Sequence, residues 1–207
     1  MDALIQDIYT LISRFQHPDR AVRRDAVRSL KRVGAPAVPY LVEALRAEST
    51  PTRQHAAQAL GQIADPLAVP PLLMALADED SGVWSQAVAA LAQIGARELL
   101  RSALSSSVTR VRWGASLALW RMRREEAAFP YLLLALQSDD LLVRNSAVLS
   151  LWQQPDDRAL ATLQIILTPE DSVINRYILQ ALQHIGTPGA QAAIAHWLSQ
   201  QPRRRDA

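Results

Sequence analysis

The side chains best suited to metal or proton chemistry in this chain are four histidines, His17, His55, His184 and His196. They are far apart, and none begins a His-Glu pair, so no helix offers two ligands on adjacent turns. There is no cysteine, which excludes thiolate nucleophiles, disulfides and Cys-based zinc sites together. No Gly-rich phosphate loop and no nucleophile elbow occurs. Adjacent acids stand at Asp139-Asp140, Asp156-Asp157 and Glu125-Glu126, but each pair falls where a turn is expected. They read as helix caps and solvated turns rather than general acids. The expected catalytic and metal sets are therefore both empty, and recognition is the chemistry left to consider.

Its carriers are aromatic and apolar residues whose meaning depends on a repeat. Aligning the chain on the leucine that ends one helical pattern gives Leu30, Leu60, Leu91, Leu119, Leu151 and Leu182. Four residues earlier stand Ala26, Ala56, Ala87, Ala115, Ala147 and Ile178. Gly34, Gly95 and Gly186 follow at helix stops. A second helical pattern ends at Leu45, Leu76, Leu104, Leu136, Leu167 and Leu198, with Pro39, Pro70 and Pro130 near its start, where a missing N–H costs little. Periods of about 30 residues built from two helices mean a stacked array, because one pair cannot bury its apolar face alone. The expectation is an all-α, right-handed α-α superhelical solenoid over residues 1–201. Residues 1–18 form an N-terminal capping helix, about six helix pairs run from 19 to 201, and 202–207 form a disordered basic tail.

Two rows in this register break their own pattern. The residue after the first-helix leucine is Lys31, Gly61, Ala92, Trp120, Trp152 and Gln183. Seven residues earlier the row reads Arg24, Gln54, Ser85, Trp113, Asn145 and Arg176. Both are otherwise polar or small, so Trp113, Trp120 and Trp152 are expected to form one solvent-facing binding patch. On the second helices, expected to line the concave face, the row Glu43, Met74, Ser102, Leu134, Ile165 and His196 should be exposed. With Tyr40 and Tyr131 three residues earlier it is unusually apolar, which suits a groove for a protein partner. The partner-binding set is thus Trp113, Trp120, Trp152, Tyr131, Leu134, Tyr40 and Met74. The spacings Asp19/Arg23, Asp80/Trp84, Asp140/Arg144 and Asp171/Asn175 predict caps, with each arginine bridging to the next pair's acid.

Charge argues weakly. The net charge is +2, with 21 of 22 basic residues arginine. The bases are dispersed and mostly on first helices, so no tight, specific DNA binding is expected at physiological salt, only weak binding that salt removes. No apolar run reaches the ~18 residues that span a membrane. The first residues, with Asp2 and Asp7, do not read as a secretory leader, so a cytoplasmic protein without membrane insertion is expected.

The motif Val22-Arg23, Ala26, Leu30, Gly34, Ala37-Val38-Pro39, Leu41 and Leu45 resembles the HEAT-like repeat of the phycobilisome lyase type. Ala68-Val69-Pro70, Val111-Arg112 and Asp140-x-x-Val143-Arg144 carry it again. The third pair departs, with Arg97-Glu98 in place of Val-Pro. The resemblance implies a protein-binding scaffold acting on a phycobiliprotein, as a bilin lyase subunit or a phycobilisome assembly or degradation factor. It implies a phycobiliprotein subunit or a second HEAT-like subunit as partner. No cofactor is bound permanently in that reading, and a bilin, a flat tetrapyrrole, is held in transit. The alternatives are a general protein–protein adaptor without pigment and a HEAT-like DNA-binding or base-excising enzyme. The related di-iron deoxyhypusine hydroxylases rest on His-Glu pairs that this chain lacks.

Overall fold

The computed structural model describes residues 2–123, 125–168 and 172–200, and every regular element among them is helical. The chain divides into two compact units, Met1–Ala128 and Phe129–Ala207. The first holds α1 (Asp2–Ser13), α2 (Arg20–Val33), α3 (Val38–Ala44), α4 (Thr50–Ile63), α5 (Val69–Ala75), α6 (Ser81–Ile94), α7 (Arg97–Ala103) and α8 (Thr109–Arg123). The second holds α9 (Phe129–Leu136), α10 (Leu141–Gln153), α11 (Leu160–Ile166), α12 (Ser172–Ile185) and α13 (Pro188–Gln200). Residues 202–207, expected as a tail, lie outside the described residues.

In the first unit α2, α4, α6 and α8 pack in succession, and α3, α5 and α7 return beside them. In the second, α10 packs on α12, and α11 lies between α9 and α13. The repeat rows are the core. Ala26, Leu30, Ala56, Leu60, Ala87, Leu91, Ala115 and Leu119 are buried in the first unit. Ala147, Leu151, Ile178 and Leu182 are buried in the second. Helix α1 lies against α2, α3 and α4 and buries Ile8, and the 3-10 turn after it, Arg14–Gln16, buries Phe15, whose ring stacks on His55 at 5.5 Å.

Local chemistry sets the helix ends. Asp19 accepts from the Ala21 N–H, Asp80 from Gly82 and Val83, and Asp140 from Leu142 and Val143, satisfying donors that a helix start leaves open. Gly34 and Gly95 leave their helices at φ of 74° and 83°, conformations costly to residues with a Cβ. Short 3-10 turns at Ala35–Ala37, Pro66–Ala68, Glu126–Ala128 and Asp157–Ala159 lead into the second helices. The third pair has no such turn. Glu125 instead bridges Arg97 (3.4 Å) and Arg101 (2.6 Å) of α7, and Arg101 also meets Glu98 (2.8 Å). Ion pairs thus hold α7 where the Val-Pro step is missing.

The expected arginine ladder takes a different form. Arg23 donates back to the His17 and Pro18 carbonyls, Arg112 to Ser106 and Ser107, and Arg144 to Ser138. Each clamps the turn before its own helix, because carbonyls left free at the preceding helix end are the nearest acceptors. Asn175 does the same to Thr168, and Asp171 lies outside the described residues. At the corresponding position on α6 Trp84 is fully buried, its Nε1 donating to the Arg110 carbonyl (3.2 Å). Arg110 supplies the missing clamp from α8. It donates to the Glu79 carbonyl (3.1 Å) while its guanidinium lies 5.8 Å from the Trp84 ring.

The bridge to a following pair is made by Arg53, which holds both Ala47 and Glu48 carbonyls and meets Asp78 at 2.7 and 3.2 Å. Burial pushes the Asp78 carboxyl up. Bonds from Arg53 and from the Asp80 N–H, with the fields of Arg53 and Arg110, outweigh it and hold the carboxyl below its ordinary value. A carboxyl whose folded pKa is depressed contributes stability above its unfolded pKa of about 3.9, and that stability is lost as pH falls through the folded value. Melting temperature measured against pH should therefore drop below about pH 4, and Asp78→Asn should remove part of that drop while lowering stability at neutral pH.

Candidate functional site

The second-helix row is exposed in both units. In the first, Glu43 of α3, Met74 of α5 (67% exposed) and Ser102 of α7 face solvent. In the second, Leu134 of α9 (57%), Ile165 of α11 (75%) and His196 of α13 do so. Helix geometry produces the row. On α9 the core takes Phe129, Leu132, Ala135 and Leu136, so Leu134 points the other way and Tyr131 is half-buried between the two faces. A helix apolar on all sides is normally enclosed. Here α9, FPYLLLAL, keeps one apolar side uncovered.

Hollows accompany the row. A space of about 270 Å³ between α3 and α5 is lined by Val42, Leu45, Arg46, Pro71, Met74 and Asp78. Between α1 and α3 a second hollow, about 360 Å³, is walled by Tyr9, Ile12, Tyr40 and Glu43. Tyr9 and Tyr40 meet there edge to face at 5.2 Å, and the Tyr9 hydroxyl donates to Glu43 at 3.5 Å. Burial leads the causes that raise the Tyr9 pKa, followed by the Glu43 charge, so the phenol stays a neutral donor. A third, about 450 Å³, opens between α11 and α13 beside Leu167, Ala193, His196 and Trp197.

The tryptophans divide differently from expectation. Trp113 and Trp152 are half-buried, but Trp120 is 0% exposed, so it takes no part in a solvent-facing patch. The physical reason lies in the small residues of its row. A Cβ on Gly61, the equivalent position on α4, would come within 2.7 Å of the Ala90 Cα and Cβ of α6. At Gly61 the row is small because α4 and α6 touch there, whereas at Lys31 and Gln183 the same row is exposed. In the second unit, sequence reasoning passed over a cluster. The Trp152 ring stacks on His184 (6.4 Å, 16°) and meets the edge of Tyr177 (6.0 Å), and His184 Nδ1 donates to the Trp152 carbonyl (3.1 Å). Repeat register could have found it, since Tyr177 and His184 flank Ile178 and Leu182 on the next first helix.

The paired acids are structural where described. Asp140 caps α10. Buried Asp156 accepts from Arg158 at 2.8 and 2.9 Å, and the Arg158 guanidinium lies 4.1 Å from the centre of the Phe129 ring. Among the described residues, no group of three His, Asp or Glu side chains could hold a metal ion. No described helix is long and apolar enough to cross a membrane.

Capped helix pairs with a buried Ala-Leu seam and an exposed second-helix row define the class: the fold is that of a HEAT-repeat protein. Residues 8–92 match the family model for HEAT repeats. Among solved structures, the CpcE–CpcF complex of the phycocyanin lyase from Nostoc sp. PCC7120 is similar over 94% of this chain and 82% of that one, at 23% identity and a TM-score of 0.51. YibA of E. coli is similar over 97% and 78%, at 20% identity and a TM-score of 0.52. Human deoxyhypusine hydroxylase is similar over 96% and 91%, at 20% identity and a TM-score of 0.46. No curated protein matches the chain in sequence.

Proposed function

We propose that the chain is a protein-binding HEAT-repeat scaffold whose partner is a phycobiliprotein, which it prepares for bilin attachment, handling or removal. The observation that carries protein binding is the exposure of Leu134 and Ile165 in the second unit, and of Met74 at the same register position in the first, on helices whose other sides are packed. Large apolar side chains presented on rigid helices, with hollows beside them, accept the apolar side chains of a partner. The phycobiliprotein assignment is supported by the Val-Arg and Ala-Val-Pro motifs and by the likeness in fold to the CpcE–CpcF complex. In this reading a bilin in transit would stack on the half-buried ring of Trp152 in the second unit or of Trp113 in the first, and Trp120 would support the fold of the first unit.

The test mixes the purified chain with a purified apo-phycobiliprotein subunit, with and without free bilin, and follows size-exclusion chromatography and the visible spectrum. A stable complex whose bilin spectrum shifts only when the chain is present supports the proposal. A complex with no effect on the pigment makes the protein an adaptor. No complex removes the phycobiliprotein from the account.

A further inference from the structure

One helix carries more than the protein's whole net charge. Six basic residues on α2, Arg20, Arg23, Arg24, Arg28, Lys31 and Arg32, face one acid, Asp25, a net of +5 in a chain of +2, so the rest nets −3. Arg23 is committed to the turn carbonyls. The other five are exposed. Arg20, Arg24, Arg28 and Lys31 follow at intervals of four, four and three residues, which makes them one stripe. It runs beside the side where Ala26 and Leu30 enter the core, with buried Val27 at its edge. Arg28 reaches Asp25 at 3.4 Å, and among the described residues Arg20, Arg24 and Lys31 make no ion pair.

The neighbouring helix continues the surface without opposing it. Thirty residues on from Arg24, Arg28 and Arg32, the same register positions on α4 are Gln54, Gln58 and Gln62. Neither α4 nor α6 contains an acid. This face of the first unit is therefore cationic along one helix and uncharged but hydrogen-bonding along the next.

We propose that this α2–α4 face binds the phosphate backbone of nucleic acid without reading sequence. It is separate from the second-helix row and extends the function beyond protein binding. Arginine forks match phosphate oxygens, and glutamine amides donate to them. A protein partner would need an apolar or aromatic anchor at the centre of the contact. None of the large exposed hydrophobic residues lies on α2 or α4. A membrane surface would need an apolar helix face to insert, and that of α2 is in the core. Phosphate contacts need neither. From Arg20 to Lys31 the stripe runs about 17 Å at 1.5 Å per residue, alongside roughly five phosphates of one strand, enough for each of its four bases to meet one.

The experiment is fluorescence anisotropy with a labelled duplex of about 25 base pairs and mixed sequence, titrated between about 50 and 200 mM salt. The expected slope of log K against log salt is about −3.5, a loss of about a hundredfold over that range, equal for unrelated sequences. Arg20→Gln/Arg24→Gln/Lys31→Gln should weaken binding at low salt by at least about thirtyfold and flatten the slope towards about −1. Gln54→Lys/Gln58→Lys should tighten binding and steepen the slope, so the proposal is still tested if the first variant folds poorly. Arg176→Gln, an exposed arginine of α12 in the second unit, should change nothing. Absence of binding at low salt, or equal binding by the neutralised variant, overturns the proposal. Tighter binding to polyglutamate or to phosphatidylserine vesicles than to the duplex overturns it too, and reassigns the face to an acidic protein or a membrane.

Discussion

Trp120→Ala should destabilise the protein by about 3–5 kcal/mol, read as a shift in the urea unfolding midpoint at constant slope. The indole is wholly buried, on a helix packed against α6 and α7. Truncation to a methyl removes the apolar area and leaves a void that rigid helices close only in part. Surface substitutions stay within about 0.5 kcal/mol, so the two placements of this residue differ by several-fold in outcome. Trp152→Ala should fall between, because that ring is half-buried and loses two aromatic contacts worth about 0.5–1.5 kcal/mol each. A loss below about 1 kcal/mol for Trp120→Ala would put the indole outside the core.

Gly61→Leu should cost about 3 kcal/mol or more by the same measurement. Glycine inside α4 is unfavourable by itself, and alanine there would gain about 1 kcal/mol of helix propensity. The contact decides otherwise. The added Cβ would meet the Ala90 Cα and Cβ at 2.7 Å, and a backbone atom cannot turn aside as a flexible side-chain end can. Overpacking of about 1–3 kcal/mol exceeds the propensity gain, so even Gly61→Ala should be destabilising, and leucine more so. A stabilised Gly61→Ala would show that α4 and α6 do not touch along this row.

The same glycine explains what could be read from sequence and what could not. Period 3.6 within helices and about 30 between them locate the pairs, the Ala-Leu seam, the glycine stops and the exposed Met74, Leu134 and Ile165. Each follows from a local pattern repeated several times. The tryptophan row failed because a small residue in a repeat has two physical meanings, open solvent or close helix contact. Gly61 and Ala92 do not say which, and the contact with Ala90 does. The arginine clamps were misassigned because an i, i+4 acid–base spacing says nothing of the free carbonyls one turn back, which Arg23, Arg112 and Arg144 take. The cluster of Trp152, Tyr177 and His184 joins residues 25 and 32 positions apart, visible only once register is combined with geometry. The basic stripe on α2 was hidden by the chain-wide net charge of +2, which averages it against acids elsewhere.

In the proposed function the uncovered apolar side chains of the second helices receive a protein partner. Isothermal titration of an apo-phycobiliprotein subunit into the wild type and into Leu134→Asp/Ile165→Asp tests it most directly. Both side chains are more than half exposed, so the double variant should fold with an unchanged melting temperature. If the row is the docking surface, affinity should fall by at least about thirtyfold, the loss of one hot spot of about 2 kcal/mol or more. Equal affinity in a folded double variant would contradict the account and move the binding surface off the second helices.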